Sequence, residues 1–337
     1  MPHGLGCTQA SRKEHPVGEK KDEVLVLRAL KLGDLLVAVP ALRALRRAFP
    51  EHRITYAAQS WLRPIVDLVG GIELLDTHGL DVPIDRAPGS VDVAVNLHGN
   101  GLESRSRIAA LEANRVIGHR ADGQQGPEWD PDAHERVRWS QLVQWHGIPS
   151  DPADYLLLRP SAPSPAPGAV VIHPGAAYGS RHWPVERFAA VAGTLHEAGH
   201  QVVFTGSSSE RPRALAVAEA CGLGEQAVLA GTLGLDEFAA LVAEAACVVS
   251  ADTGAAHLAS AYQVPSVVLF GPAPVSSWGP PPGPHVVLTD ESLRRGETFA
   301  TDPDPALLAV QSEDVIQALR GLGILQDAGR AQILPGS

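Results

Sequence analysis

VLVLRALKLGDLLVAVPALRAL, residues 24–45, is the stretch on which the fold turns. Its opening residues, Val24 to Leu27, are apolar without alternation, the pattern of a short strand covered on both faces. A loop runs through Gly33, after which Leu35, Leu36, Val39, Leu42, Leu45 and, just beyond, Phe49 recur at helical spacing. Strand, tight loop and helix in that order predict a βαβ unit and a parallel sheet.

The alternation repeats downstream. Strands are predicted over 53–58, 91–97 and 115–118, with helices near 61–69 and over 102–111. Residues 160–168, PSAPSPAPG, hold four prolines and neither helical nor strand periodicity, which predicts a semi-rigid linker. Beyond it the pattern restarts, with strands over 169–173, 201–205, 227–229, 247–250 and 266–270 and helices over 184–198, 211–220, 235–246 and 255–262. The proline-rich 272–284 reads as a long loop and 304–322 as a final helix. The expected organisation is a tail at 1–22, a doubly wound α/β domain at 23–159, the linker, a second doubly wound domain at 169–303, a helix within 304–324 and a tail at 325–337.

A chain of 337 residues is comfortable for two such domains. With 27 Lys and Arg against 38 Asp and Glu, its formal net charge of -11 argues against a general nucleic-acid binder and against tight adhesion to an anionic membrane, so membrane contact is at most peripheral. Cys7, Cys221 and Cys247 lie far apart, which predicts neither a disulfide framework nor a cysteine-based zinc site and fits a reducing cytoplasm. No run approaches the roughly 18 apolar residues needed to span a bilayer, and residues 1–22 lack the apolar core of a signal peptide.

In open α/β sheets ligands sit beyond the carboxyl ends of the strands, so four loops carry the chemistry. In Leu32-Gly33-Asp34 the carboxylate is either an ordinary helix cap or a general base facing a substrate hydroxyl. In 173–184, HPGAAYGSRHWP, small residues expose backbone N–H groups and Arg181 offers a fork suited to phosphate oxygens; the alternative is a surface loop with an incidental arginine. In 205–211, TGSSSER, Glu210 either bridges vicinal ribose hydroxyls or supports the helix dipole from the first turn. In 250–258, SADTGAAHL, Asp252, Thr253 and Gly254 precede a helix of small residues, where amide N–H groups point at an anion. His257, one turn in, has no metal partner at a recognisable spacing and reads more readily as a packed residue than as a ligand. Asp130-Pro131-Asp132 and Asp302-Pro303-Asp304 match a metal-nucleotide motif, but Asp-Pro pairs read as turns.

Taken together, the segments 24–45, 91–107 (VDVAVNLHGNGLESRSR) with 115–118 (RVIG), 173–189, 206–216 and 250–272 resemble glycosyltransferase family 9, the heptosyltransferase family of two-domain GT-B enzymes. The resemblance implies a GT-B fold of two Rossmann-like domains facing a cleft. It also implies an inverting, metal-independent transfer of a sugar, typically heptose from ADP-heptose, to an acceptor hydroxyl. By position it makes Asp34 the general base and puts Arg181, where the family usually has a lysine, on the donor diphosphate. Glu210 falls on the donor ribose, Leu233 on the nucleotide base, Asp252, Thr253 and Gly254 on the loop over the diphosphate, and His257 behind it. Lys31, Gly33, His98, Arg105 and Arg107 become candidate acceptor contacts. Neither cofactor nor metal is expected, and the expected partners are a nucleotide-sugar donor and a glycan or glycolipid acceptor.

The sequence also departs from the lipopolysaccharide enzymes of that family. Ala29, Leu30, Lys31 and Leu32 stand where those enzymes carry hydroxyl side chains. Residues 23–120 hold 12 Lys and Arg against 11 Asp and Glu, hardly a strong basic face for a phosphorylated lipid core. Two other readings share the donor loops: a GT-B-like sugar-nucleotide epimerase or hydrolase, and a non-catalytic sugar-nucleotide-binding protein. Asp34 in its Gly-Asp context favours transfer over mere binding.

Overall fold

Short Val, Ile, Leu and Ala runs alternate with helices, and in the computed structural model, which describes residues 22–326, they assemble into two five-stranded parallel sheets. The first contains β1 (Glu23–Leu27), β2 (Arg53–Ala58), β3 (Glu73–Asp76), β4 (Val93–Asn96) and β5 (Arg115–Ile117) in the order β3-β2-β1-β4-β5. The second contains β6 (Val170–His173), β7 (Val202–Phe204), β8 (Cys247–Ala251), β9 (Ser266–Leu269) and β10 (His285–Leu288) in the order β10-β9-β8-β6-β7. Central strands read as unbroken apolar runs because helices cover both faces; every residue of β1 and of β8 is buried.

Strand order fixes where a ligand can enter. The winding direction reverses between β1 and β4 in one sheet and between β6 and β8 in the other, and at such a reversal the loops leave in opposite directions and open a crevice. The loops after β1, β4, β6 and β8 are therefore the ones that meet across the molecule.

Helices α1 (Leu32–Ala48), α2 (Arg63–Val69), α3 (Leu102–Ala109) and α4 (Glu135–Trp145) belong with the first sheet. Helices α5 (Val185–Glu197), α6 (Arg211–Ala220), α7 (Leu235–Ala243), α8 (Gly254–Ala261), the single turn α9 (Val275–Trp278), α10 (Pro305–Ala309) and α11 (Ser312–Gly321) belong with the second. One apolar cluster runs between the halves: Leu32, Leu35 and Leu36 of α1 share it with Ala255, Leu258 and Ala259 of α8. None of the helices among the described residues is long and apolar enough to cross a membrane.

Several expected elements differ. The strand predicted at 227–229 is absent: Glu225–Ala227 forms a 3-10 turn, and Val228 adds one bridge to Phe204 on the open edge of β7. The final helix is broken, because the Trp183 indole and the Arg187 guanidinium draw the Val310 carbonyl out of the helical path at 3.0 and 2.6 Å. The loop at 272–284 contains the turn α9. Strands β3 and β10 and helix α4 were not expected. Asp132 N–H bonds Asp130 Oδ1 at 2.9 Å, and Asp304 caps α10 through Ala306 N–H at 3.0 Å, so both Asp-Pro-Asp segments are turns. Of the predicted tails, all but Asp22, Leu325 and Gln326 lie outside the described residues, and Leu325 is buried against the second core.

Candidate functional site

The loop after β1 places a carboxylate on a buried cation. Helix α1 starts at Leu32, so Asp34 is its third residue, and its Oδ2 accepts the Lys31 N–H at 3.2 Å. Asp34 thus supports the helix start, as the capping reading anticipated, but from inside the first turn. Its Oδ1 faces Arg28 Nη2 at 3.2 Å, while Arg28 Nε donates to the Asp34 carbonyl at 2.7 Å. Arg28 is only 1% exposed, donates further to the Leu97 carbonyl after β4, lies 4.6 Å from the centre of the Trp139 ring and reaches within 3.6 Å of Glu135. Glu135 in turn accepts from Arg138 at 2.9 Å and from the Trp139 indole at 3.0 Å. The Asp34 side chain remains 23% exposed, so the carboxylate faces solvent while its anchor does not.

His98 closes this side. Burial, reinforced by the Arg28 charge, pushes its imidazole below the ordinary value, so the ring is neutral at neutral pH. Its Nδ1 is buried with no hydrogen-bond partner among the described residues. Lys31 is exposed and Arg105 half-buried. Arg107 is committed elsewhere, donating to the carbonyls of Leu80 at 2.6 Å and Asp81 at 3.2 Å.

The loops after β6 and β8 form the opposite wall. Thr253 occupies the N-cap position of α8 without a side-chain cap bond, the helix proper begins at Gly254, and the leading N–H groups of a helix have no acceptor within it. Asp252 is turned sideways and buried between Arg181 and His257, 3.7 Å from Arg181 Nη2 and 3.6 Å from His257 Nε2. Arg181 also donates to the Asp252 carbonyl at 3.2 Å, while its Nε and the Thr253 hydroxyl are buried with no partner among the described residues. A carboxylate at a phosphate-type loop is thereby explained: it contacts the arginine and the histidine, and the leading amides of α8 have no acceptor within the helix.

Glu210 flanks this wall. Its Oε2 accepts the Ser207 N–H at 2.7 Å, and its carboxylate lies so close to Gly175 that a Cβ there would come within 2.5 Å of Cδ. Burial opposes its ionisation, but the facing His173 and the bonds from Ser207 outweigh burial and hold the carboxyl below the ordinary value. His173, itself pushed down by burial, bonds Thr205 Oγ1 at 3.0 Å and tilts against Phe238. Leu233, half-buried, packs with the interdomain cluster that also takes Leu229, Leu235 and Phe238.

The two walls touch. The Gly33 backbone lies against the His257 ring, leaving so little room that a Cβ would sit 2.8 Å from Cδ2, and Gly254 lies equally close to the Leu32 side chain. His134, which caps α4, bonds the Gly279 carbonyl across the seam at 2.9 Å, and Trp278 meets His257 edge-on. Gly33, Asp34, His98, Arg181, Asp252, Thr253, Gly254 and His257 thus belong to one constellation, with Glu210 and Leu233 further along the second half. Sequence reasoning missed Arg28, Glu135, Trp139 and His134. Arg28 carried a faint signal, a cation directly after an apolar strand; the other three depend on where α4 packs. Among the described residues, no group of three or more His, Cys, Asp or Glu side chains is placed to hold a metal.

The model of glycosyltransferase family 9 (heptosyltransferase) matches residues 148–293, the half that carries the β6 and β8 loops. Lipopolysaccharide heptosyltransferase 2 of Escherichia coli K12 is 24% identical over 355 residues, covering 91% of this chain and all of that protein. The chain is thus similar to the family 9, heptosyltransferase-like glycosyltransferases. Its fold is GT-B. The family 9 glycosyltransferase from Veillonella parvula superposes with a TM-score of 0.72 at 22% identity, covering 91% of this chain and 98% of that one. The structure of E. coli ADP-heptose lipopolysaccharide heptosyltransferase II gives 0.67 at 20%, covering 89% and 98%. TibC of E. coli, described as an iron-containing glycosyltransferase, gives 0.59 at 14%, covering 90% and 76%.

Proposed function

We propose that this glycosyltransferase moves heptose from ADP-heptose to a hydroxyl of a glycan or glycolipid acceptor, with inversion and without a metal ion. Residues 23–159 serve the acceptor and residues 169–303 the donor, and the reaction takes place in the cytoplasm. The observation that carries the reading is the meeting of unlike walls. A part-exposed carboxylate stands one residue from the Gly33 contact with His257, and across the seam stands an amide-and-arginine anion site at the start of α8.

The chemistry follows from that arrangement. Asp34 takes the proton of the acceptor hydroxyl as its oxygen bonds the anomeric carbon from the face opposite the diphosphate. The carbon–phosphate-oxygen bond breaks, ADP leaves with the electron pair, and the proton on Asp34 is later lost to solvent. One displacement inverts the centre. Charge growing on the leaving diphosphate is met by the amides of Thr253 and Gly254 and by Arg181, preorganised donors of the kind whose removal typically costs about a hundredfold or more. Glu210, held ionised, suits two vicinal ribose hydroxyls, and Leu233 offers an apolar surface to the base. Lys31, Gly33, His98 and Arg105 remain acceptor contacts in this reading; Arg107 holds the segment at 80–81 instead.

The test is incubation with ADP-heptose, UDP-sugars and GDP-sugars, with and without EDTA, followed by thermal melting and by mass spectrometry and anomeric NMR of product. Protection by ADP-heptose, an inverted product and a rate indifferent to EDTA are expected. Protection by no nucleotide sugar overturns the reading, a retained anomeric configuration overturns the displacement, and a rate abolished by EDTA and restored by iron overturns metal independence.

A further inference from the structure

Arg28 presents a chemical oddity. Among the described residues it is the most deeply buried charged side chain, 1% exposed and so shielded from solvent, and two of its three guanidinium nitrogens hold one residue. Nε holds the Asp34 carbonyl at 2.7 Å and Nη2 its carboxylate at 3.2 Å, a grip on main chain and side chain together that fixes both position and rotamer. Nη1 ties the same group to the Leu97 carbonyl, so the loops after β1 and β4 are clasped at the winding reversal.

The clasp is itself anchored. The Trp139 ring lies beneath the guanidinium, and Glu135 stands 3.6 Å from Nη2, its own oxygens fixed by Arg138 and the Trp139 indole. Burying two arginines and a glutamate is expensive unless each is paired, and a cheaper apolar core would fill the space between α1 and α4 equally well. Packing alone therefore does not account for the network.

We infer that Arg28, braced by Glu135 and Trp139 of α4, is a positioning residue that aims the Asp34 carboxylate at the acceptor hydroxyl. The inference rests on Asp34 being the base. Displacing a reacting group by about 1 Å costs on the order of a hundredfold in rate, and this network supplies the rigidity that prevents it. Donor binding, carried by the other half, does not depend on it.

The experiment compares R28K, R28M, E135Q and R28M/E135Q with the wild type, the double variant removing the Arg28 and Glu135 charges together while Arg138 keeps the carbonyls of Asp130, Pro131 and Ala133 as acceptors. Transfer kcat, KM for donor and acceptor, ADP affinity by calorimetry and the carboxyl 13C resonance of Asp34, assigned by its loss in D34N, are measured at one pH. The expected result is a kcat lower by about a hundredfold in R28M and R28M/E135Q. A smaller loss is expected in E135Q, with substantial rescue in R28K, ADP affinity within about twofold of wild type and a displaced Asp34 resonance in every variant that slows. A folded R28M/E135Q with wild-type kcat overturns the inference, as does a loss of ADP affinity equal to the loss of kcat, which marks a general structural role. If Arg28 variants do not fold, E135Q decides: an unmoved Asp34 resonance and unchanged kcat overturn the proposal. The resonance needs no substrate, so a wild type inactive with ADP-heptose sinks the proposed function without deciding the role of Arg28.

Discussion

The two loops that meet at the seam solve one problem by opposite means. After β1, a carboxylate is held by a side-chain network: Arg28, Glu135, Trp139 and Arg138 are all buried or nearly so, and they come from one loop and the helix α4. After β8, the proposed anion site is built from backbone: small residues open α8, and the buried Asp252 contacts Arg181 and His257. A base must be aimed at one atom, and only a network of side chains fixes a rotamer. A diphosphate spreads charge over several oxygens, and a helix terminus with a neighbouring cation meets it without fine aim.

The sharpest way to break this contrast is at the carboxylate. D34N keeps an acceptor oxygen beside Arg28 but cannot take a proton, so transfer is expected to fall about a thousandfold while ADP affinity, measured by calorimetry, stays put. On the opposite wall R181A is expected to cost about a hundredfold in kcat and to weaken ADP as well, since the same fork serves ground state and transition state. Equal effects of the two variants on ADP would erase the distinction between aiming and binding.

Contacts at the seam test it more finely. G33A sets a methyl group 2.8 Å from the His257 ring, so the walls must part, and kcat is expected to drop about tenfold with donor affinity little changed. E210Q leaves the Ser207 bond available but removes the charge, and donor Kd is expected to rise about fivefold, the worth of roughly one hydrogen bond.

The smallest effect is on stability. His98, His119, His134, His146, His173 and His285 all have their imidazoles pushed by burial below the ordinary 6.5. The unfolded chain therefore binds protons that the folded one refuses once pH falls through 6.5, and folding is destabilised on the acid side. Melting temperature is expected to be lower at pH 5.5 than at pH 7.5, by about 3 °C for each kcal/mol lost. A flat profile would show that these rings accept protons without cost.

Legibility followed local strength of signal. Strands β1, β2, β6, β8 and β9 announce themselves because central parallel strands are buried on both faces and read as apolar runs. Edge strands β3 and β10, half-exposed and with Glu73, Asp76 and His285 at their ends, give no such run. Helix α4 escaped because its buried side is mixed: Arg138 and Ser140 face inward beside Trp139, Leu142 and Val143 and interrupt the apolar spacing. The predicted strand at 227–229 failed for the converse reason, since an apolar triplet has the composition of a strand but meets β7 at a single bridge.

At the site, the sequence by itself determined which loops follow which strands and which residue types occupy them, because glycine, small residues and helix starts act through neighbours a few positions away. It thereby determined the helix start at α8 proposed to bind the anion, whose amides are set by the local backbone. Tertiary structure decided the rest. That Asp34 rests on a buried arginine, that the arginine is braced by a glutamate about a hundred positions downstream, and that Gly33 meets His257 are facts of packing. Local sequence carries no record of them, because the interactions that fix a side chain's aim come from whichever elements the folded core brings beside it.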